Sequence, residues 1–188
     1  MADPMWDDFD IDDEEVTEDE AKDIESGGVK FPIGLYLCRC FSSNPKQIDF
    51  KAYSTLGVKL GFKVEKVLEI EKRKPTADEV KYFIDKKMFD DVAFANEKEK
   101  AGMAKRRKMV ALKLGLITPG ELLNKTMWQK YVIGKAIILR VVDASYINTK
   151  TDPPTQVEKT GIDFWNGYES TDQAEAVTEK ADEWDGII

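Results

Sequence analysis

Lysines, arginines and flat rings are interleaved through the middle of the chain: Lys51, Tyr53, Lys59, Lys63, Lys105, Arg106, Arg107, Lys135, Arg140, Tyr146, Lys150 and Trp165. Cations meet phosphates, and an aromatic face takes a stacked base for roughly 1–3 kcal/mol, so these types together suit a strand whose bases are unpaired. Tyr36, Phe41 and Tyr168 are further candidate stackers. Tyr36 and Phe41 fall on opposite faces of one strand, so only one of them faces solvent unless a bulge intervenes. Phe62, Phe94 and Trp128 read as core. Arg107 falls on the apolar stripe of a helix, where its stem can pack, and the cluster Lys105 to Lys108 also suits a plain solvated helix surface.

Other chemistries find less support. No histidine occurs anywhere, which removes the commonest general base and metal ligand. Asp8, Asp10 and Asp12 have the spacing of a calcium loop, but Asp13 stands where the sharp turn needs glycine and Asp19 where the loop needs glutamate. "GLITPGEL" has the two glycines of a phosphate loop, yet Glu121 and Leu122 replace its lysine and hydroxyl residue. A carboxylate there repels phosphate. Asp90 and Asp91 are types that bind a nuclease's metal, but an adjacent pair reads more simply as a turn or an exposed edge. The expectation is a binding protein, not an enzyme, with no metal and no cofactor.

Charge divides the chain of 188 residues into three parts. Its net charge is −8, but residues 1–28 hold 13 acids and one lysine, and residues 169–188 hold seven acids and one lysine. The middle, 29–168, therefore carries +10 and 16 of the 19 aromatics. We expect a disordered acidic arm over 1–28, ending in Ser26-Gly27-Gly28, then a nucleic-acid-binding body over 29–168 and an acidic tail over 169–188. A basic, aromatic body is the footprint of nucleic-acid binding, and acidic flanks are built-in competitors for it. No run of apolar residues is long enough to span a membrane, and "MADPMWDDFD" lacks the basic start and apolar stretch of a secretory signal. A cytoplasmic setting is expected, that of the host cell for a viral protein. Cys38 and Cys40 are expected reduced on one face of a strand.

These side chains must be positioned by a mostly β body. "LYLCRCF" predicts a strand over Leu35–Phe41, and "SSNPKQ" a loop. Val58, Leu60, Phe62 and Val64 alternate with Lys59, Gly61, Lys63 and Glu65, a period-two strand with one wet face, on which Gly57 and Gly61 suggest bends or bulges. Thr76 and Glu79 could cap a short helical turn, and "KKMFDDVAF" predicts a third strand. Acids early and bases late predict a helix from Asn96 to Gly115, with Met103, Arg107, Val110, Ala111 and Leu114 as its apolar stripe and Lys105, Arg106 and Lys113 on another face. Thr118, Pro119 and Glu121 predict a second helix start. "YVIGKAIILRVVDASYI" and "VEKTGIDFWNGY" predict two more strands, joined by the loop "NTKTDPPTQ". Five strands with helices inserted between the third and fourth suggest an OB-fold-like barrel. An ordinary five-stranded α+β sheet is the competing architecture.

The ending "ADEWDGII", the inferred strand order, and the segments "FPIGLYLCRC", "LGVKLGFKVE", "MAKRRKMVALKLGL" and "WQKYVIGKAIILRVV" resemble the bacterial and bacteriophage single-stranded DNA-binding proteins. The resemblance implies sequence-tolerant binding of single-stranded DNA, or RNA, in phage-like replication or recombination. It also implies a tail that competes with DNA and recruits replication or recombination proteins through Asp182, Glu183, Trp184, Asp185, Ile187 and Ile188. The family's tip ends in Pro-Phe or Phe, whereas Ile187-Ile188 stand here, and the acidic N-terminal arm is not a family feature. A homo-oligomer is an option; a membrane partner is not expected. The alternatives are an acidic adaptor or DNA mimic whose arms are the active parts, and a metal-dependent nuclease accessory.

Overall fold

The structure, a computed structural model, describes residues 29–50, 53–95 and 97–171. Its scaffold is a long hairpin of β1 (Gly34–Asp49) and β2 (Ser54–Ile70), paired from Gly34↔Ile70 to Asp49↔Ser54. After it come α1 (Ala77–Phe83), β3 (Lys87–Ala93), α2 (Glu97–Lys113) and a π-helical turn over Met127–Tyr131. Strands β4 (Ala136–Asp143), β5 (Tyr146–Asn148), β6 (Thr155–Val157), β7 (Thr160–Ile162) and β8 (Tyr168–Glu169) complete the body. The main sheet has six antiparallel strands in the order β3-β2-β1-β4-β7, with β8 also on β4, while β5 and β6 form a separate two-stranded arm. The long helix α2 and the π-helical turn fall between β3 and β4, as expected, while the short α1 falls between β2 and β3. Among the described residues no helix is long and apolar enough to cross a membrane. The expected arms, 1–28 and most of 169–188, lie outside the described residues.

Three local expectations are corrected. "SSNPKQ" is not a loop: β1 runs straight through it, and the turn falls at the residues between Asp49 and Ser54. Pro45 is tolerated inside a strand because β4 pairs with β1 only over Gly34–Arg39, which leaves residues 42–49 as a sheet edge where a missing N–H costs no ladder bond. Thr118–Glu121 is a turn, not a helix start: the Glu121 carboxylate takes the Thr118 N–H at 2.6 Å, and Gly120 turns the chain away at φ +96°. The helical segment starts later, where Asn124 Oδ1 accepts from the Met127 N–H at 3.2 Å. The single last strand is broken into β6, β7 and β8. The capping box of α1 stands as read: Thr76 Oγ1 accepts from the Glu79 N–H, and the Thr76 N–H donates to the Glu79 carboxylate. Arg73, with that backbone bond, holds the Glu79 carboxyl down at about 2.

The core lies on the inner face of the sheet. Tyr36, Cys38, Leu60, Phe62, Val64, Val92, Ile137 and Leu139 are closed off by Val110, Ala111 and Leu114 of α2 and by Trp128 of the π-helical turn. Phe94 packs against Trp128 at 6.2 Å. Tyr36 and Tyr168 are core residues here, not stackers: Tyr36 donates to Pro32 O at 2.9 Å, and the Tyr168 ring meets Phe62 edge-on. Both cysteines are free and buried, and burial raises the Cys38 thiol and pushes Cys40 up to about 11.

The sheet is not closed into a barrel: no ladder joins β3 to β7 or β8. A polar clasp spans this seam instead. Asp90 Oδ2 accepts from the Tyr168 hydroxyl at 2.6 Å and from Arg106 Nη2 at 2.6 Å. Arg106 also donates to Asp91 O and to Phe164 O, and its plane lies 4.4 Å over the Phe164 ring. With its guanidinium bonded on three sides, Arg106 is 3% exposed. The expectation that it faces solvent is corrected: it stands three residues after Met103 and four before Val110, within the turn that meets the core.

Arg106→Met leaves the partly buried Asp90 carboxylate without its cation and is expected to lower stability by about 2 kcal/mol in chemical denaturation. Neither thiol is expected to react with a disulfide-exchange probe at pH 8 in the native state, because thiolate forms only well above that pH; both should react at once in denaturant.

Candidate nucleic-acid interface

The outer face of β1, β2 and β3 gathers rings and cations that no single segment carries. On β2, Gly57, Lys59, Gly61, Lys63 and Glu65 point away from the core, as the alternation requires. Register sets Phe89 opposite Gly61, Asp91 opposite Lys59 and Lys87 opposite Lys63. On β1 a bulge between Cys40 and Ser42 leaves Phe41 unpaired on this face. Gly61 makes room for it: a Cβ there would lie 2.8 Å from Phe41 Cζ and 2.2 Å from Ser42 Oγ. The Phe41 ring thus rests over the β2 backbone, edge-on to Phe89 at 6.1 Å.

Phe41 is 39% exposed and Phe89 51%, a high fraction for two touching rings. Lys59 Nζ stands 4.7 Å from the Phe89 centroid and Lys87 Nζ 5.6 Å from that of Phe41. Around them run exposed ion pairs, Lys63–Asp85 at 2.8 Å and Lys46–Asp91 at 2.6 Å. Such pairs contribute little and are readily exchanged. The result is a small platform of two exposed rings under cations on β1, β2 and β3.

The other candidate residues scatter. Lys51 lies outside the described residues, as do Asp182, Glu183, Trp184, Asp185, Ile187 and Ile188. Tyr53 stacks on Phe50 at 4.7 Å where the β1–β2 hairpin turns. Lys105 is exposed on the outer side of α2, away from the platform's strands. Arg107 is half-buried and donates to Ala95 O at 3.0 Å; desolvation pulls its pKa down. Lys135 reaches Gly115 O at 3.2 Å and so tethers the C-terminal end of α2. Arg140 pairs with Glu169 across β4 and β8. Tyr146 and Lys150 are exposed on the β5–β6 arm, and Trp165 lies by Gly102 of α2, edge-on to Phe164. No group of three or more histidine, cysteine, aspartate or glutamate side chains among the described residues could hold a metal ion.

Phe89, Lys87, Phe50 and Phe164 are additions that sequence reading missed. Phe89 had a usable signal: it is adjacent to Met88, so if one faces the core the other faces out. Phe50 and Phe164 had none, because what places them is the approach of distant segments.

Gly61→Ala is expected to cost about 1–2 kcal/mol in thermal or chemical denaturation, since the added methyl must displace Phe41 or Ser42. The same change should abolish the Phe41–Phe89 ring contact seen by NMR. Compared with known proteins, the chain matches no family model and no curated protein.

Proposed function

We propose that the chain binds single-stranded DNA without sequence preference, on the outer face of β1, β2 and β3. The observation that carries this reading is the Phe41–Phe89 pair, exposed and edged by Lys59 and Lys87. Every base has a flat face, so stacking on these rings tolerates any sequence. An exposed cation over a ring contributes about 0.5–1 kcal/mol, less than the roughly 1–3 kcal/mol of a stacked base. An arriving base therefore displaces the lysine, and the freed ammonium pairs with the neighbouring phosphate.

Further features support the reading. The order β3-β2-β1-β4, with helices between β3 and β4, is that of an OB-type barrel, itself a partly open fold. The Asp90–Arg106–Tyr168 clasp then stands where such a barrel would close. The body's charge of +10 suits a polyanion. On this reading the tail competes for the same cations, and residues 182–188 recruit replication or recombination proteins.

Titration of fluorescent oligo-dT at several salt concentrations tests the proposal. Phe41→Ala and Phe89→Ala should each weaken binding about 5- to 150-fold, and Lys59→Gln should reduce the salt slope by about one. Deleting 172–188 should tighten binding by removing a tethered competitor. No binding by the intact chain at low salt would sink the reading, and loss of function on deleting the tail would favour the acidic adaptor.

A further inference from the structure

Beside the platform lies a cavity of about 260 Å³, between the end of β1, the β3 edge, α2 and the segment after β7. Ile48, Phe50, Val92, Met103 and Phe164 supply apolar and aromatic wall. Its charged lining is Asp90, Asp91, Arg106 and Arg107. Asp90 is paired with Arg106 and Tyr168, and Asp91 with Lys46 through Oδ2, while Asp91 Oδ1 is buried without a partner among the described residues. Arg107 has no carboxylate partner among the described residues, only the Ala95 carbonyl. A half-buried guanidinium without a counter-ion is costly, and an anion entering the cavity would offset that cost.

The cavity borders the platform through one shared residue. Asp91 lines it and also stands opposite Lys59 in the sheet. Ile48, another wall residue, lies across Gly57 toward β3 on that same outer face. A strand stacked on Phe89 thus reaches the cavity mouth within one or two nucleotides. The volume lies just below the roughly 300–1,000 Å³ of sites for drug-sized ligands, room for one nucleotide unit and not for several.

We propose that this cavity is a nucleotide subsite: Arg107 takes one phosphate of the strand, and the base lies against the Phe50 and Phe164 rings. The inference rests on the reading that the neighbouring platform binds single strands, which it extends by one specific unit.

The test uses the full chain, Arg107→Met, which keeps the buried stem, and Arg107→Lys, which keeps the charge. Methionine-methyl NMR follows Met103 while dTMP or thymidine is added, and oligo-dT titrations are run in parallel. dTMP is expected to shift the Met103 signal and thymidine to do so far less. Arg107→Met should abolish the dTMP shift, weaken oligo-dT about tenfold and lower the salt slope by about one, and Arg107→Lys should restore part of each. If oligo-dT binds the intact chain and Arg107→Met equally, with equal salt slopes, and dTMP leaves Met103 unmoved, the subsite is overturned and the platform stands. A dTMP shift lost in Arg107→Met, with no oligo-dT binding, keeps the cavity and removes the platform reading. Should Arg107→Met fail to fold, the dTMP titration of the intact chain and of Arg107→Lys decides.

Discussion

One carboxylate oxygen, Asp90 Oδ2, holds the open side of this fold together. It takes a hydrogen bond from Arg106 on α2 and another from Tyr168 on β8, while its own strand is β3. Three elements distant in sequence therefore meet at one partly buried atom. In a closed barrel, backbone ladders would join the edges and no such clasp would be needed. Here the edges are bridged by side chains, and burial makes that bridge exacting: a charge removed from water must find its partners or cost several kcal/mol. The same burial, then the nearby Asp90 charge, holds the Tyr168 hydroxyl protonated well above the usual tyrosine range, so it remains a donor.

That clasp sets the candidate site as well. Arg106 fixes α2 against the β3 edge through Asp91 O and fixes the segment after β7 through Phe164 O. The cavity that exposes Arg107 exists between these parts. The platform depends on a different economy, that of missing atoms. Gly61 has no side chain, so the Phe41 ring can approach β2 closely, and the bulge at Phe41 leaves the hairpin paired on either side. Both rings remain exposed because, among the described residues, no element packs over the wet face of the hairpin.

Much of the scaffold was legible from local pattern. The alternation from Val58 to Glu65 marked β2 and its wet face, and the bulge suggested by its glycines appears across from Gly61. Thr76 and Glu79 marked a cap that forms. Tyr36 and Phe41 were separable by parity alone. Other expectations failed for nameable reasons. "SSNPKQ" has loop composition but lies on a sheet edge, where proline is harmless. Thr118 and Glu121 have the residues of a capping box, but they close a turn that Gly120 redirects. Arg106 was placed with Lys105 and Lys113 on another face than the apolar stripe, although its spacing from Met103 and Val110 brings it to the core side.

By itself the sequence determined the partition of charge, a body of +10 between acidic flanks, and the mostly β character of that body, because both depend only on composition and on neighbours a few residues apart. Only the tertiary structure decided which rings and cations share a surface. Phe41 and Phe89 are 48 positions apart and meet through strand register; Arg106 and Arg107 are adjacent and line one cavity, yet Arg106 is clasped by Asp90 while Arg107 donates to the Ala95 carbonyl. Register, bulges and burial act between distant segments, and no periodicity along the chain records them.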